Sequence, residues 1–204
     1  MKITDEDKVY AVKVFSENFG RKKTDEEVFY EMCFCICAPQ TTFKNNIKVI
    51  NELRELDYYH LGIYAPGPLS NGTGKEWLGP ILKPVRFYRN KAKWVAEAKQ
   101  RFSEISGMVR SNWAWTVKRA WLVNYIHGFG MKTSSHFLRN LGARDLAIID
   151  IHVLKYLKVE GKWDYEKLER KLRDIAKKNY LTVAELDIVI WKHYSKIPWE
   201  DYVR

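Results

Sequence analysis

Apolar residues recur at three- and four-residue spacing through almost the whole of this 204-residue chain, and no alternating run is long enough to require a sheet. The constraint points to an all-α fold. Helical patterns read in "DEDKVYAVKVFSENF", "TDEEVFYEMCFCICA", "TTFKNNIKVINELREL", "YRNKAKWVAEAKQRF", "NWAWTVKRAWLVNYI", "TSSHFLRNL", "DIHVLKYLKV", "DYEKLERKLRDIAKK" and "TVAELDIVIWKHYS". The second of these carries its own start signal, since Thr24 with Glu27 three residues on makes a capping box, and its apolar run closes at Ala38-Pro39. The stretch "YAPGPLSNGTGKEWLGP", dense in Gly, Pro, Asn and Ser, is expected to be one long connecting loop.

The formal net charge is +10, from 35 Lys and Arg against 25 Asp and Glu. Such an excess favours a polyanionic partner, most simply nucleic acid, although a basic surface can also be merely solvated. Nothing approaches the roughly 18 apolar residues of a membrane span. Acids precede the first short apolar stretch in "MKITDEDKVYAVKVF", so it does not read as a secretion signal. An intracellular protein of the cytoplasm or nucleoid, away from membranes, is expected. Cys33, Cys35 and Cys37 crowd into "CFCIC", too close together to staple a fold. Three clustered thiols could hold a metal, but apolar and aromatic flanks favour core packing, and no metal site is assigned.

A shorter constraint lies in "RAWLVNYIHGFGMKTSSHFLRNLG". One helix ends near Ile126, Gly128-Phe129-Gly130 turns the chain, and a second helix starts near Met131, which makes a helix-hairpin-helix over about 114–141. Glycines permit the positive φ angles of so tight a turn, and Phe129 between them can plug the gap between the helices. Amides at the hairpin and the new helix start lack intrahelical partners, and the helix dipole adds positive charge there, so phosphate is the natural ligand. A plain αα-corner would use the same glycines. A dinucleotide loop is disfavoured, because Thr133 stands where the third glycine of GxGxxG would fall and no strand precedes the turn. Further on, Ile148-Ile149 deliver Asp150 to the start of the next helix, where an Asp usually acts as N-cap.

Taken together, a Gly-aromatic-Gly hairpin, a lysine two residues after the second glycine, and an Asp-x-His whose Asp lies eighteen residues beyond that lysine (150 − 132 = 18) resemble the helix-hairpin-helix (HhH-GPD) DNA glycosylase superfamily. Within it, "FYEMCFCICAPQTT", "RFYRNKAKWV", "GFGMKTSSHFLRNLGARDLAIIDIHVL" and "ELDIVIW" are similar to the small archaeal-type 8-oxoguanine DNA glycosylase/lyases, from about Asp25 to Trp191. The resemblance implies a two-lobed helical fold making one unit over residues 1–204. It also implies a monomeric base-excision-repair enzyme acting on duplex DNA with a damaged base, with no required cofactor. Other superfamily members carry a four-cysteine iron–sulfur loop near the C-terminus; here no cysteine follows Cys37.

The resemblance implies particular roles. Lys132 would be the nucleophile at C1′ of an extruded nucleotide, leaving an imine whose acidic 2′-hydrogens allow strand cleavage. An amine attacks only when neutral, so burial or neighbouring cations are expected to favour that form. Asp150 would stabilise positive charge developing on the sugar, and His152 would face phosphate or Asp150, unless it is a plain helix-surface histidine. Gly128, Gly130 and Lys132 amides, with His127, would hold a phosphate beside the lesion, and hairpin carbonyls in this superfamily can bind a monovalent cation. Gln40, read as the start of a helix after Pro39, resembles the residue that fills the vacated stack.

For the base pocket, Phe87 and Trp191 offer flat faces that could sandwich a purine, though both could be core residues. Asp187, one helical turn before Trp191, could accept from a base N–H. Arg86, Arg89, Lys91 and Lys93 form a basic run suited to tracking the DNA backbone or to a solvated helix face.

Departures leave readings open. The family usually has Ala-Asn where this chain has Pro39-Gln40, and its members tend to end soon after the "IW" helix in a lysine, whereas "KHYSKIPWEDYVR" continues to Arg204. A related glycosylase for another lesion, such as an oxidised pyrimidine, stands beside the 8-oxoguanine reading. So does a non-catalytic DNA-binding module that uses the hairpin alone.

Overall fold

A chain whose apolar residues repeat at helical spacing has to pack helix on helix. The computed structural model does so with eleven helices and no strand among the described residues, which are 1–61 and 75–195, with side chains in the second stretch from residue 78 on. The helices are α1 Asp5–Phe19, α2 Asp25–Cys37, α3 Phe43–Glu55, α4 Lys75–Leu82, α5 Tyr88–Gln100 and α6 Phe102–Arg110. Then follow α7 Trp115–Tyr125, α8 Met131–Asn140, α9 Ile151–Leu157, α10 Tyr165–Lys178 and α11 Val183–Tyr194. The chain divides into two compact units, residues 23–133 and residues 1–22 with 134–204.

In the unit of residues 23–133, α2 is buried from Val28 to Cys37, apart from the half-buried Glu31. A helix apolar on nearly every side belongs at the centre of a core, and α3, α5 and α6 pack around it. The capping box at Thr24 forms as the sequence requires, with the Glu27 carboxylate accepting from Thr24 N–H at 2.8 Å. Cys33, Cys35 and Cys37 are packing residues of this helix. Burial pushes the Cys33 thiol well up and that of Cys37 up to about 12.

Two helix C-termini in this unit, and the turn that follows a third helix, are closed by lysine ammonium groups, which suit the negative end of the dipole. Lys91 Nζ donates to the Cys37 carbonyl of α2 at 2.7 Å. Lys99 Nζ donates to the Tyr58 carbonyl just past α3 and to Tyr59 O at 3.2 Å. Lys118 Nζ donates to Val109 O in α6 at 2.6 Å and to Ser111 O at 2.8 Å.

The other unit packs α1 along α11, with α9 and α10 against α11. Its core gathers Phe15, Val153, Leu172, Leu186 and Val189, among others. Asp7 of α1 joins Lys192 and His193 of α11, at 3.0 and 3.1 Å.

Two local expectations are corrected. Residues 75–80 of the expected loop open α4, whose Leu78 and Leu82 are fully buried four residues apart; that apolar pair outweighs the breaker at Pro80. Residues 64–74 of that expectation lie outside the described residues. The run "YRNKAKWVAEAKQRF" is not one helix, because the chain breaks at Arg101 before α6. Arg101 is held there by the Tyr125 carbonyl and by Glu104, at 2.8 Å. Among the described residues no helix is long and apolar enough to cross a membrane.

Candidate functional site

The hairpin forms where the glycines put it. α7 ends at Tyr125 and α8 starts at Met131, with Phe129 N–H donating to Ile126 O at 3.2 Å to close the turn. Only the first glycine needs left-handed backbone: Gly128 has φ +87, whereas Gly130 does not lie in that region. Phe129 is buried, and no atom among the described residues would meet a Cβ on Gly130. Lys132 is the second residue of α8 and is exposed, so the burial expected of its amine is not supplied by this fold.

One face of α5 supports this hairpin. Trp94 packs against Gly128, and the Glu97 carboxylate holds His127 Nδ1 at 2.8 Å from both oxygens. Lys91, three residues before Trp94, reaches the turn between α2 and α3. Phe87, the N-cap residue of α5, completes the stripe at helical spacing.

Phe87 is 52% exposed with φ +59, and the Arg86 guanidinium lies 5.0 Å from its ring centroid. Gln40 is exposed with φ +55. It is therefore not at a helix start as expected, but in the turn ahead of Thr42, the true N-cap of α3. Asp57, Lys158 and Tyr180 also have positive φ, but each follows a helix end and is closed by a backbone bond of the next residue, at 2.9, 3.0 and 2.9 Å. Gln40 lies in a turn beyond the Ala38 cap of α2, closed by Thr41 N–H on Ala38 O at 3.1 Å, and Phe87 stands at the start of α5. Such backbone costs about 1–3 kcal/mol per residue and clusters at functional sites, where the surroundings enforce it.

The basic run divides. Arg86, Arg89 and Lys93 are exposed, and Arg89 and Lys93 line a groove of about 570 Å³ with Lys83 and Tyr88. Lys91 is 2% exposed, which removes it from any surface role. Burial lowers its ammonium to about 8.

The remaining candidates belong to the other unit. Asp150 is the N-cap of α9, and its Oδ1 accepts from His152 N–H and Val153 N–H, both at 2.9 Å. The capping reading is thus correct, and it uses one carboxylate oxygen. His152 is half-buried, and its Nδ1 is buried with no hydrogen-bond partner among the described residues. On α11, Asp187 is paired with Arg139 Nη2 at 3.8 Å, and half-buried Trp191 packs against the core. The segment 196–204, with Arg204, lies outside the described residues.

Trp94 and Glu97 were missed in the sequence, and Lys91 was read there only as one of the basic run. The available signal was a stripe that runs from Phe87 through Lys91 and Trp94 to Glu97 in steps of four, three and three residues. No group of three or more His, Cys, Asp or Glu among the described residues could hold a metal ion.

Comparison with known proteins bears on this geometry. The Ogg-HhH family, described as 8-oxoguanine DNA glycosylase, matches residues 11–186. An 8-oxoguanine DNA glycosylase/AP lyase of Methanocaldococcus jannaschii is 36% identical over 183 residues, 84% of this chain and 82% of the relative. One from Fusobacterium nucleatum is 29% identical over 191 residues, 86% of this chain and 83% of the relative. Among solved structures, the M. jannaschii glycosylase/lyase in complex with 15mer DNA containing 8-oxoguanine aligns with TM-score 0.78 at 32% identity, covering 93% of this chain and 91% of that one. The 8-oxoguanine DNA glycosylase of Thermotoga maritima aligns with TM-score 0.76 at 25% identity, covering 95% and 92%.

Proposed function

We infer, from the premise that this chain belongs to the Ogg-HhH family of 8-oxoguanine DNA glycosylases, that it is a bifunctional glycosylase/AP lyase that removes 8-oxoguanine from duplex DNA and cuts the strand. The observation that carries the mechanistic reading is Lys132 at the second position of α8, directly behind a left-handed glycine hairpin. An amine and a phosphate-binding helix start meet there on one turn of chain.

The target nucleotide has to leave the stack before its sugar can be attacked. Gln40 fills the vacated space, while Phe87 and Trp191 take the base and Asp187, fixed by Arg139, accepts one of its N–H groups. Hairpin amides hold a phosphate beside the lesion, with His127 steadied by Glu97. Open space at Gly130 suits that approach. Arg86 and Arg89 follow the backbone, and His152 serves a phosphate near Asp150.

Lys132 Nζ then forms a bond to C1′ as the bond from C1′ to the base nitrogen breaks, the base leaving with the electron pair and taking up a proton. Asp150, with one oxygen spent on its cap, offers the other to the positive charge on the sugar. Opening of the sugar ring gives the imine. Loss of a 2′-hydrogen then expels the 3′-phosphate by β-elimination. No step requires a cofactor, although a monovalent cation on the hairpin carbonyls would bridge to the same phosphate. The enzyme acts as a monomer, on DNA inside the cell.

Borohydride trapping tests the assignment. The protein should form an adduct with an 8-oxoguanine duplex that Lys132→Gln abolishes while still binding. Trapping only on an oxidised-pyrimidine duplex would keep the chemistry and overturn the substrate, and undiminished trapping by the variant would remove Lys132 as nucleophile.

A further inference from the structure

The exposed left-handed residues Gln40 and Phe87 sit on turns that are far apart in sequence yet tied through two side chains. Lys91 Nζ donates to Cys37 O and Pro39 O, both at 2.7 Å, and to Thr41 Oγ1 at 3.0 Å. Its three N–H groups thus meet three acceptors that bracket Gln40. Thr41 Oγ1 also accepts from Arg86 N–H at 3.3 Å, the residue before Phe87, and itself donates to Pro39 O at 3.4 Å. Asn45 Nδ2 adds a second tie between the turns, donating to Pro84 O at 3.0 Å.

Burying an ammonium is costly, and a methionine would fill similar space without that cost. The three acceptors around Lys91 Nζ are two carbonyls and a hydroxyl, so its donors go to fixing one turn. Left-handed backbone at Gln40 persists only if something enforces it, and Lys91 holds the carbonyl on one side and the hydroxyl on the other. We propose that Lys91 and Thr41 form a clasp that sets Gln40 and Phe87 in register, making Lys91 a positioning residue for stack filling and base capture. The proposal rests on the roles of Gln40 and Phe87 given above.

The clasp acts while a base is drawn out of the stack and captured, and an abasic site has neither a base to unstack nor one to capture. Lys91→Met should slow single-turnover excision of 8-oxoguanine on the order of 10- to 100-fold, the scale of a small misplacement. Strand cleavage at a preformed abasic site should stay within about threefold of wild type, because Lys132 and Asp150 are untouched. Lys91→Arg should recover part of the excision. In a Gln40→Ala/Phe87→Ala background, Lys91→Met should add nothing further, since coupled residues are not additive.

Equal loss of excision and abasic cleavage, or full additivity in that background, would reduce Lys91 to a structural lysine and overturn the proposal. Should Lys91→Met fail to fold, Thr41→Val provides the same test, removing the shared acceptor while leaving the lysine its two carbonyls; unchanged excision in that variant would overturn the clasp. If Gln40→Ala and Phe87→Ala excise 8-oxoguanine at the wild-type rate, the underlying role assignment fails instead, which is a separate result.

Discussion

The Trp94 ring occupies the space a side chain on Gly128 would need, since a Cβ there would stand 3.0 Å from Cε3 of the indole. The glycine is required twice over, by that contact and by φ +87. Gly128→Ala should therefore displace the hairpin, weakening binding to lesion-bearing and undamaged duplexes alike, and should cost roughly 1–2 kcal/mol of stability. Fluorescence anisotropy and thermal unfolding would check both effects. An alanine variant that binds as tightly as wild type would mean that the hairpin does not hold phosphate.

Asp150→Asn separates chemistry from capping. Asparagine is as good an N-cap as aspartate, so the variant should unfold within about 0.5 kcal/mol of wild type, the range of a neutral change. Excision should nevertheless fall by two or more powers of ten, on the order of what one stabilising group is worth. Single-turnover excision beside a melting curve decides the matter, and parallel losses in both would assign Asp150 to the helix alone.

Asp7 anchors α1 to α11 through its charge. Burial by itself would raise its carboxyl, but the Thr4 N–H, Lys192, His193 and the Thr4 hydroxyl outweigh it and hold the group well below the usual carboxylate range. A carboxylate whose folded pKa is depressed stabilises above its unfolded value, near 3.8, and loses that contribution as pH falls toward the folded value. Asp7→Asn should cost roughly 1.5–3 kcal/mol at neutral pH, the worth of hydrogen bonds to a charged group. The gap between variant and wild type should narrow below about pH 4, where the unfolded carboxyl is protonated. Denaturant titrations at pH 7 and pH 3 would show whether it does.

Salt dependence distinguishes the surface cations from the buried one. Each phosphate contact contributes a slope of about −0.9 in log K against log salt on duplex DNA. Arg89→Ala should reduce the slope by about one contact, whereas Lys91→Met should leave it unchanged because that ammonium lies inside the fold. A reduced slope for Lys91→Met would contradict its burial.

The helix-hairpin-helix was legible because its causes are local: two glycines, an aromatic plug and a helix start lie within a few residues. The capping box at Thr24 and the N-cap at Asp150 were legible for the same reason. Lys91 was misread because lysine is normally solvated, and only acceptors some fifty residues away in sequence, at Pro39 and Thr41, make its burial tolerable. Gln40 was placed on a helix start because Pro39 commonly opens one; instead Pro39 and Gln40 form a turn closed by Thr41 N–H on Ala38 O and contacted by Lys91 of α5. The break at Arg101 carries no Gly or Pro, and the carbonyl that holds the Arg101 side chain there lies on α7, 24 residues away in sequence.

Cys33, Cys35 and Cys37 are sealed in α2 at no more than 1% exposure, and burial keeps the thiols of Cys33 and Cys37 in their protonated form. Peroxide and alkylating agents react with a thiolate they can touch. The oxidants that turn guanine into 8-oxoguanine therefore find no accessible cysteine sulfur on this protein until α2 comes apart. Chemical ageing of its thiols is tied to unfolding, so a thiol-reactive label would keep time for the opening of that helix and for nothing else.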